Sequence, residues 1–248
     1  MLDQFFGADG VQVVGLSHRL APGEVCHYPG DPPYRLQPVT SFDSDGYALN
    51  YVSVGEHTGT HWGAPRHFNE GAAAADELEA EDFFLPGVMI DVQRQAENDD
   101  DYAVTVDDLE AWESVFGPFP HQCAVILNTG WHKRWPTARF ANLDDNGVPR
   151  HPGFSVEAVR WLLRRGALGH RGALGTDAFS PDVGVDETFA VSKLLYREHR
   201  ISLEVLANLD RLPARGFWLA VGGFINAGGT GSPATVYALR PNGVAQRR

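Results

Sequence analysis

His57-Thr58-Gly59-Thr60-His61-Trp62-Gly63-Ala64-Pro65-Arg66-His67 puts three imidazoles within eleven residues, interleaved with glycine, threonine and proline. Glycine and proline at this density exclude a helix, so the stretch is expected to be a loop or a kinked strand end. It follows Tyr47 to Val54, whose alternation reads as a half-buried strand. In an extended chain His57 and His61, an even number of residues apart, face the same side. His67 lies beyond Pro65, where the chain can turn back towards them. Imidazole is the side chain most readily used as proton carrier or metal ligand near neutral pH. The competing reading is a surface loop that holds three of the chain's ten histidines.

Outward from this stretch, composition narrows the function classes. At 248 residues the chain suits one large domain or two small ones. Its 43% hydrophobic and 21% charged residues are ordinary for a globular protein. A net charge of −12 argues against nucleic acid or an anionic membrane as a partner. No apolar run approaches membrane-spanning length and no secretory leader pattern opens the chain, so a cytoplasmic location is expected. The two cysteines, Cys26 and Cys123, supply neither a disulfide framework nor a CxxC zinc pattern. Cys123 reads as a core thiol.

In chain order, strands are expected at 11–16, 34–42, 47–54 and 87–92, and a continuous apolar strand from Cys123 ending in Gly130. Helices are expected over 72–84, over 105–116 with Thr105 as cap, over 154–165 and over 188–198. Further strands are expected at 201–209, 217–224 and 235–239. Asp177, in Gly172-Ala-Leu-Gly-Thr-Asp-Ala-Phe-Ser-Pro-Asp, reads either as a carboxylate orienting a histidine or as a turn cap. The glycine-rich Asn226 to Pro233 does not connect a strand to a helix, so a nucleotide site is rejected. No repeat or linker divides the chain, and no regular β-α-β rhythm runs through it. One α+β (mixed α/β) domain over 1–248 is therefore expected.

HTGTHWGAPRHF also resembles the signature His-x-Gly-Thr-His-x-Asp-x-Pro-x-His of the metal-dependent cyclase family. That family includes kynurenine formamidase, isatin hydrolase and certain polyketide cyclases. The resemblance extends from about Val11 to Leu239 and takes in the segment around Asp177. It implies the swivelling β/β/α cyclase fold and a homo-oligomer, dimer or tetramer, in which a neighbour helps to close the pocket. It further implies a metal ligand set of two signature histidines, the signature Asp, a later His, and a Glu twelve residues beyond that His. Glu204 matches the Glu. Gly63 stands where the Asp would be, and Ser192 where counting back twelve puts the second His.

The expected chemistry is that of a small-molecule cyclase or hydrolase acting at a carbonyl: an amide, lactam, lactone or polyketide-type substrate. In one version a single, weakly held divalent ion (Zn or Mn) sits on His57, His61 and Glu204, and His67 moves the proton. In the other no metal is needed. His67 or His61 is then the base, Glu204 or Asp177 orients it, and Thr60 or backbone N–H groups hold the oxyanion. Loss of both second-site ligands together favours the second version. A third reading is a catalytically inactive relative that binds a small ligand. Trp62, Trp131 and Trp135 suit a planar or apolar substrate, and Arg66 a carboxylate or enolate. Tryptophan in the core and arginine on the surface are equally good structural readings.

Overall fold

The computed structural model describes residues 10–242. Its centre is an eight-stranded sheet in the order β1 (Val11–Gly15), β12 (Gly231–Pro241), β11 (Arg215–Gly223), β5 (Phe84–Asp91), β7 (Ala124–Asn128), β9 (Ala173–Thr176), β10 (Ile201–Glu204) and β4 (His61–Gly63). β4 also pairs with β12, so the sheet curls round on itself. β5, β7, β9 and β10 run parallel, and the flanking strands are antiparallel.

Side chains alternate across this sheet with a period of two, and each face makes its own core. Val88, Ile90, Val125, Leu127 and Leu174 face outward. There they meet α1 (Val106–Phe116), α2 (Val156–Arg164) and α3 (Ala190–Leu195) through Leu109, Trp112, Val159, Leu162 and Leu195. Met89, Ala124, Ile126, Ala173, Leu203, Phe217 and Val236 face inward and pack with Trp62. β7 and β9 are buried along their whole length, as the apolar run through Ile126 requires. Thr105 caps α1: its hydroxyl accepts from the Asp108 N–H, and the Asp108 carboxylate accepts from the Thr105 N–H.

Three expectations change. Residues 72–84 are not one helix but two short 3-10 turns, Ala75–Glu77 and Ala80–Phe83. The Glu77 and Asp82 carboxylates accept from the backbone N–H groups of Ala74 and Glu79, and these local bonds compete with a continuous helix. The strand expected to run to 209 stops at Glu204, because Val205 takes φ +54 and Asn208 φ +56. The strands expected at 34–42 and 47–54 form a separate hairpin, β2 (Arg35–Thr40) with β3 (Leu49–Ser53), outside the main sheet. Two further short strands, β6 (Ala103–Val104) and β8 (Gly153–Phe154), pair with each other. No helix among the described residues is long and apolar enough to cross a membrane.

Candidate active site

The histidine stretch leaves β3, turns at Gly59 and enters β4 at His61. Gly59 has φ +62, and a Cβ there would lie 2.5 Å from Leu20 Cδ2, so the turn favours glycine. β4 then pairs antiparallel with β10 in a register that sets His61 opposite Glu204 and Gly63 opposite Ser202. These four positions share one face of the ladder, whereas Trp62 and Leu203 point to the other.

His61 Nδ1 donates to the Gly59 carbonyl at 2.8 Å, which directs Nε2 to Glu204 Oε2, 3.2 Å away. Both groups are buried. Burial opposes charge on each, but their attraction outweighs it: the imidazole pKa is raised and the carboxyl pKa lowered. Their contact thus favours the imidazolium–carboxylate form of the pair. Glu204 Oε1 accepts from Ser202 Oγ at 2.5 Å, and Ser202 Oγ accepts from the Tyr196 hydroxyl at 2.7 Å.

His57 stands edge-on to His61, ring centres 5.0 Å apart, and stacks on His67 at 3.8 Å. His57 Nε2 is 3.0 Å from Thr230 Oγ1, which itself donates to Glu56 Oε2. The hydroxyl's one hydrogen is thus committed, so it accepts from Nε2–H and fixes the His57 tautomer. Burial, then the neighbouring His61 and His67, push the His57 pKa down to about 2. His67 has one face covered by His57 while its edge is open at the surface. Burial lowers its pKa, the Glu204 carboxylate opposes this, and His61 adds to it; the net shift is downward. The cluster therefore favours charge on the His61–Glu204 pair and the neutral form of His57 and His67. His67 is the neutral base with access to solvent.

The structure brings together His57, His61, His67 and Glu204, the four residues on which the sequence reading rested. The other expected site residues lie differently. Asp177 is buried and orients another histidine, His132, whose Nδ1 lies 2.8 Å from its Oδ2. It also accepts from the Thr129 amide and hydroxyl. Thr60 is not free to hold an oxyanion: its hydroxyl donates to the Val205 carbonyl at 2.6 Å and accepts from the His18 amide. Trp62 is a core residue packed on Phe83, because the period of two turns it away from His61. Trp131 is also core, with Nε1 on the Phe140 carbonyl and the Arg134 guanidinium over its ring. Trp135 is partly buried and stacks on His18. Arg66 is exposed on the 3-10 turn Pro65–His67. A cavity of about 560 Å³, lined by Asp91, Trp112, Asn128 and Lys133, lies elsewhere, at the end of β5 and β7.

Four participants escaped the sequence reading: Glu56, Tyr196, Ser202 and Thr230. Ser202 carried a signal, since it sits two residues before Glu204 and so on the same strand face. Thr230 belongs to the glycine-rich segment, whose last three residues form the start of β12. Gly231 there faces Gly63 across the ladder, and a Cβ on it would lie 2.8 Å from His57 Cε1.

The Cyclase family model matches residues 14–183. The chain belongs to the cyclase family. The isatin hydrolase of Roseibium aggregatum is 34% identical over 245 residues, which cover 93% of this chain and 92% of that one. The kynurenine formamidase of Erythrobacter litoralis is 24% identical over 200 residues, 80% of each chain. Among solved structures, isatin hydrolase A from Labrenzia aggregata bound to benzyl benzoate superimposes with a TM-score of 0.86 at 32% identity. That match covers 93% of this chain and 94% of the other. A potential metal-dependent hydrolase with cyclase activity shares the fold, with a TM-score of 0.69 at 19% identity. Relatives of this kind make the chain an enzyme, a cyclase or hydrolase acting on a small carbonyl compound.

The metal that the signature implies does not fit the residues present. Gly63 offers no donor, and the space a side chain would need there is filled: a Cβ would collide with the Tyr196 hydroxyl and lie 2.8 Å from Ser202 Oγ. Ser192, at the position of the later His, donates its hydroxyl to Asp182 Oδ2 at 2.5 Å. His57 Nε2 is taken by Thr230. Among the described residues no three His, Cys, Asp or Glu side chains are grouped so as to hold a metal ion.

Proposed function

We propose that the protein hydrolyses the ring amide of a small aromatic lactam of the isatin type, with the histidine cluster as its acid–base machinery. The observation that carries this reading is the convergence of His57, His61, His67 and Glu204 within stacking and ion-pair distance. Similarity to isatin hydrolases over nearly the whole chain supports the substrate class.

In this mechanism His67, neutral and open to solvent, takes the proton of a water molecule as the water attacks the carbonyl. His61 in its charged form, held by Glu204, stabilises the developing oxyanion electrostatically. As the C–N bond breaks, the proton on His67 passes to the leaving nitrogen. His57 packs the base in place through its stacked ring and its Thr230 anchor. No step is assigned to a metal ion.

The test is turnover of isatin and of N-formylkynurenine, with and without EDTA. Chelator-resistant hydrolysis of isatin that a His67→Ala variant loses supports the reading. Hydrolysis abolished by EDTA and restored by Mn2+ or Zn2+ would replace it with the mononuclear metal-dependent version. Tight ligand binding without turnover, indifferent to all three histidines, would leave a binding protein.

The working form is proposed to be a homo-oligomer. The β2–β3 hairpin is exposed along both strands and presents Leu36, Val39, Leu49, Tyr51 and Val52 to solvent. Apolar surface concentrated on one separate hairpin suits burial against a second copy. Light scattering on the purified chain tests this: a monomer at micromolar concentration would remove it.

A further inference from the structure

Gly63 lacks a carboxylate, yet its surroundings are not an empty gap. The Tyr196 ring, just past the end of α3, reaches under β4 so that its hydroxyl fills the space above Gly63. Ser202, opposite Gly63 in the ladder, meets it there. Each hydroxyl has a single hydrogen, so the bonds have one direction: Tyr196 donates to Ser202, and Ser202 donates to Glu204 Oε1. Glu204 Oε2 is left to face His61. All four side chains are buried, and Tyr196 is fully so. A phenol sealed among apolar neighbours keeps its proton, and burial does push its pKa well above the usual value.

We propose that the Tyr196 and Ser202 hydroxyls together replace the signature carboxylate: they fill its place, fix Glu204 against His61, and leave the site built to work without a bound metal ion. This rests on the reading of the cluster as acid–base machinery. Tyr196 and Ser202 are positioning residues, since both act through Glu204. A phenol donating to a serine is a poor ligand for a divalent cation, because neither oxygen carries charge. A glycine at 63 is what the phenol requires, so the substitution at 63 and the tyrosine at 196 form one device.

The test is metal uptake by the full chain, which needs no knowledge of the substrate. Wild type and a G63D/Y196F variant are titrated with CoCl2 and followed by calorimetry and by the visible d–d absorption of bound cobalt. Wild type is expected to show no saturable uptake up to millimolar cobalt. G63D/Y196F, with the phenolic oxygen removed and a carboxylate supplied, is expected to bind one ion at least 100-fold more tightly and to gain the absorption band. A His61→Ala change in that background should abolish both. Uptake of one ion per wild-type chain at micromolar cobalt, lost in His61→Ala, would overturn the proposal. A folded G63D/Y196F that takes up no more than wild type would overturn it equally. If the double variant does not fold, the wild-type titration still decides.

A second readout addresses positioning. Ser202→Ala should lower kcat on isatin about 10-fold with KM unchanged, and an unaltered kcat counts against Ser202 fixing Glu204. If isatin proves not to be a substrate, the function reading fails while the cobalt result stands by itself.

Discussion

The phenolic oxygen of Tyr196 lies where a side chain on Gly63 would begin, although the two residues are far apart in sequence and sit on different elements. A Cβ on residue 63 must displace both that oxygen and Ser202 Oγ, and both belong to a buried chain of hydrogen bonds.

Gly63→Ala should therefore destabilise the fold by about 1–3 kcal/mol, the usual cost of overpacking a core. Tyr196→Phe in the same background should recover part of it, since the closest obstructing atom is gone. Urea unfolding of the two variants and the double measures the coupling. Strictly additive losses would mean that the two residues do not compete for one space.

His67→Ala should lower the rate of isatin hydrolysis by about 10²–10⁴, the range for loss of a general base. Its ring has one open edge, so stability should hardly change. Steady-state kinetics alongside thermal unfolding checks both halves, and a His67→Ala enzyme with wild-type kcat removes His67 as the base.

Stability should fall as pH drops below about 6.5, the ordinary histidine value. The folded chain holds His57 at about 2 and His18 at about 4, both chiefly by burial. Between those values and 6.5 the unfolded chain binds protons that the folded chain refuses, at about 1.4 kcal/mol per pH unit for each group. His61 has the opposite sign: its contribution is complete below 6.5 and is lost only as pH rises through its raised folded value. Urea midpoints between pH 7.5 and 5 test the acid limb. A His57→Gln variant should show a shallower slope, and equal slopes would contradict the assignment.

Asp177→Ala should cost about 3 kcal/mol or more. It leaves the Thr129 amide and hydroxyl and the His132 amide and ring nitrogen without their buried acceptor. A wild-type melting temperature in this variant would show that those donors find other partners.

Much of the architecture was readable from local pattern. The apolar run through Ile126 became a strand buried on both faces, and the Thr105 to Phe116 stretch became a capped helix. The 72–84 segment misled because its acids favour a helix by composition while their carboxylates capture nearby backbone N–H groups. The spacing of His57 and His61 placed both on one side, and the departure at residue 63 was visible in the signature itself.

What the sequence by itself determined, then, is the family, the strand-and-turn setting of three histidines, and the missing carboxylate at 63. Tertiary structure alone decided what stands in its place. Glu204 meets His61, and Ser202 meets Gly63, only because β10 pairs with β4 in one register. Tyr196 enters only because α3 packs beneath that pair, and Thr230 only because β12 closes the sheet. Register and packing are set by contacts between residues distant along the chain, and nothing in the local alternation of a strand specifies which partner it will face.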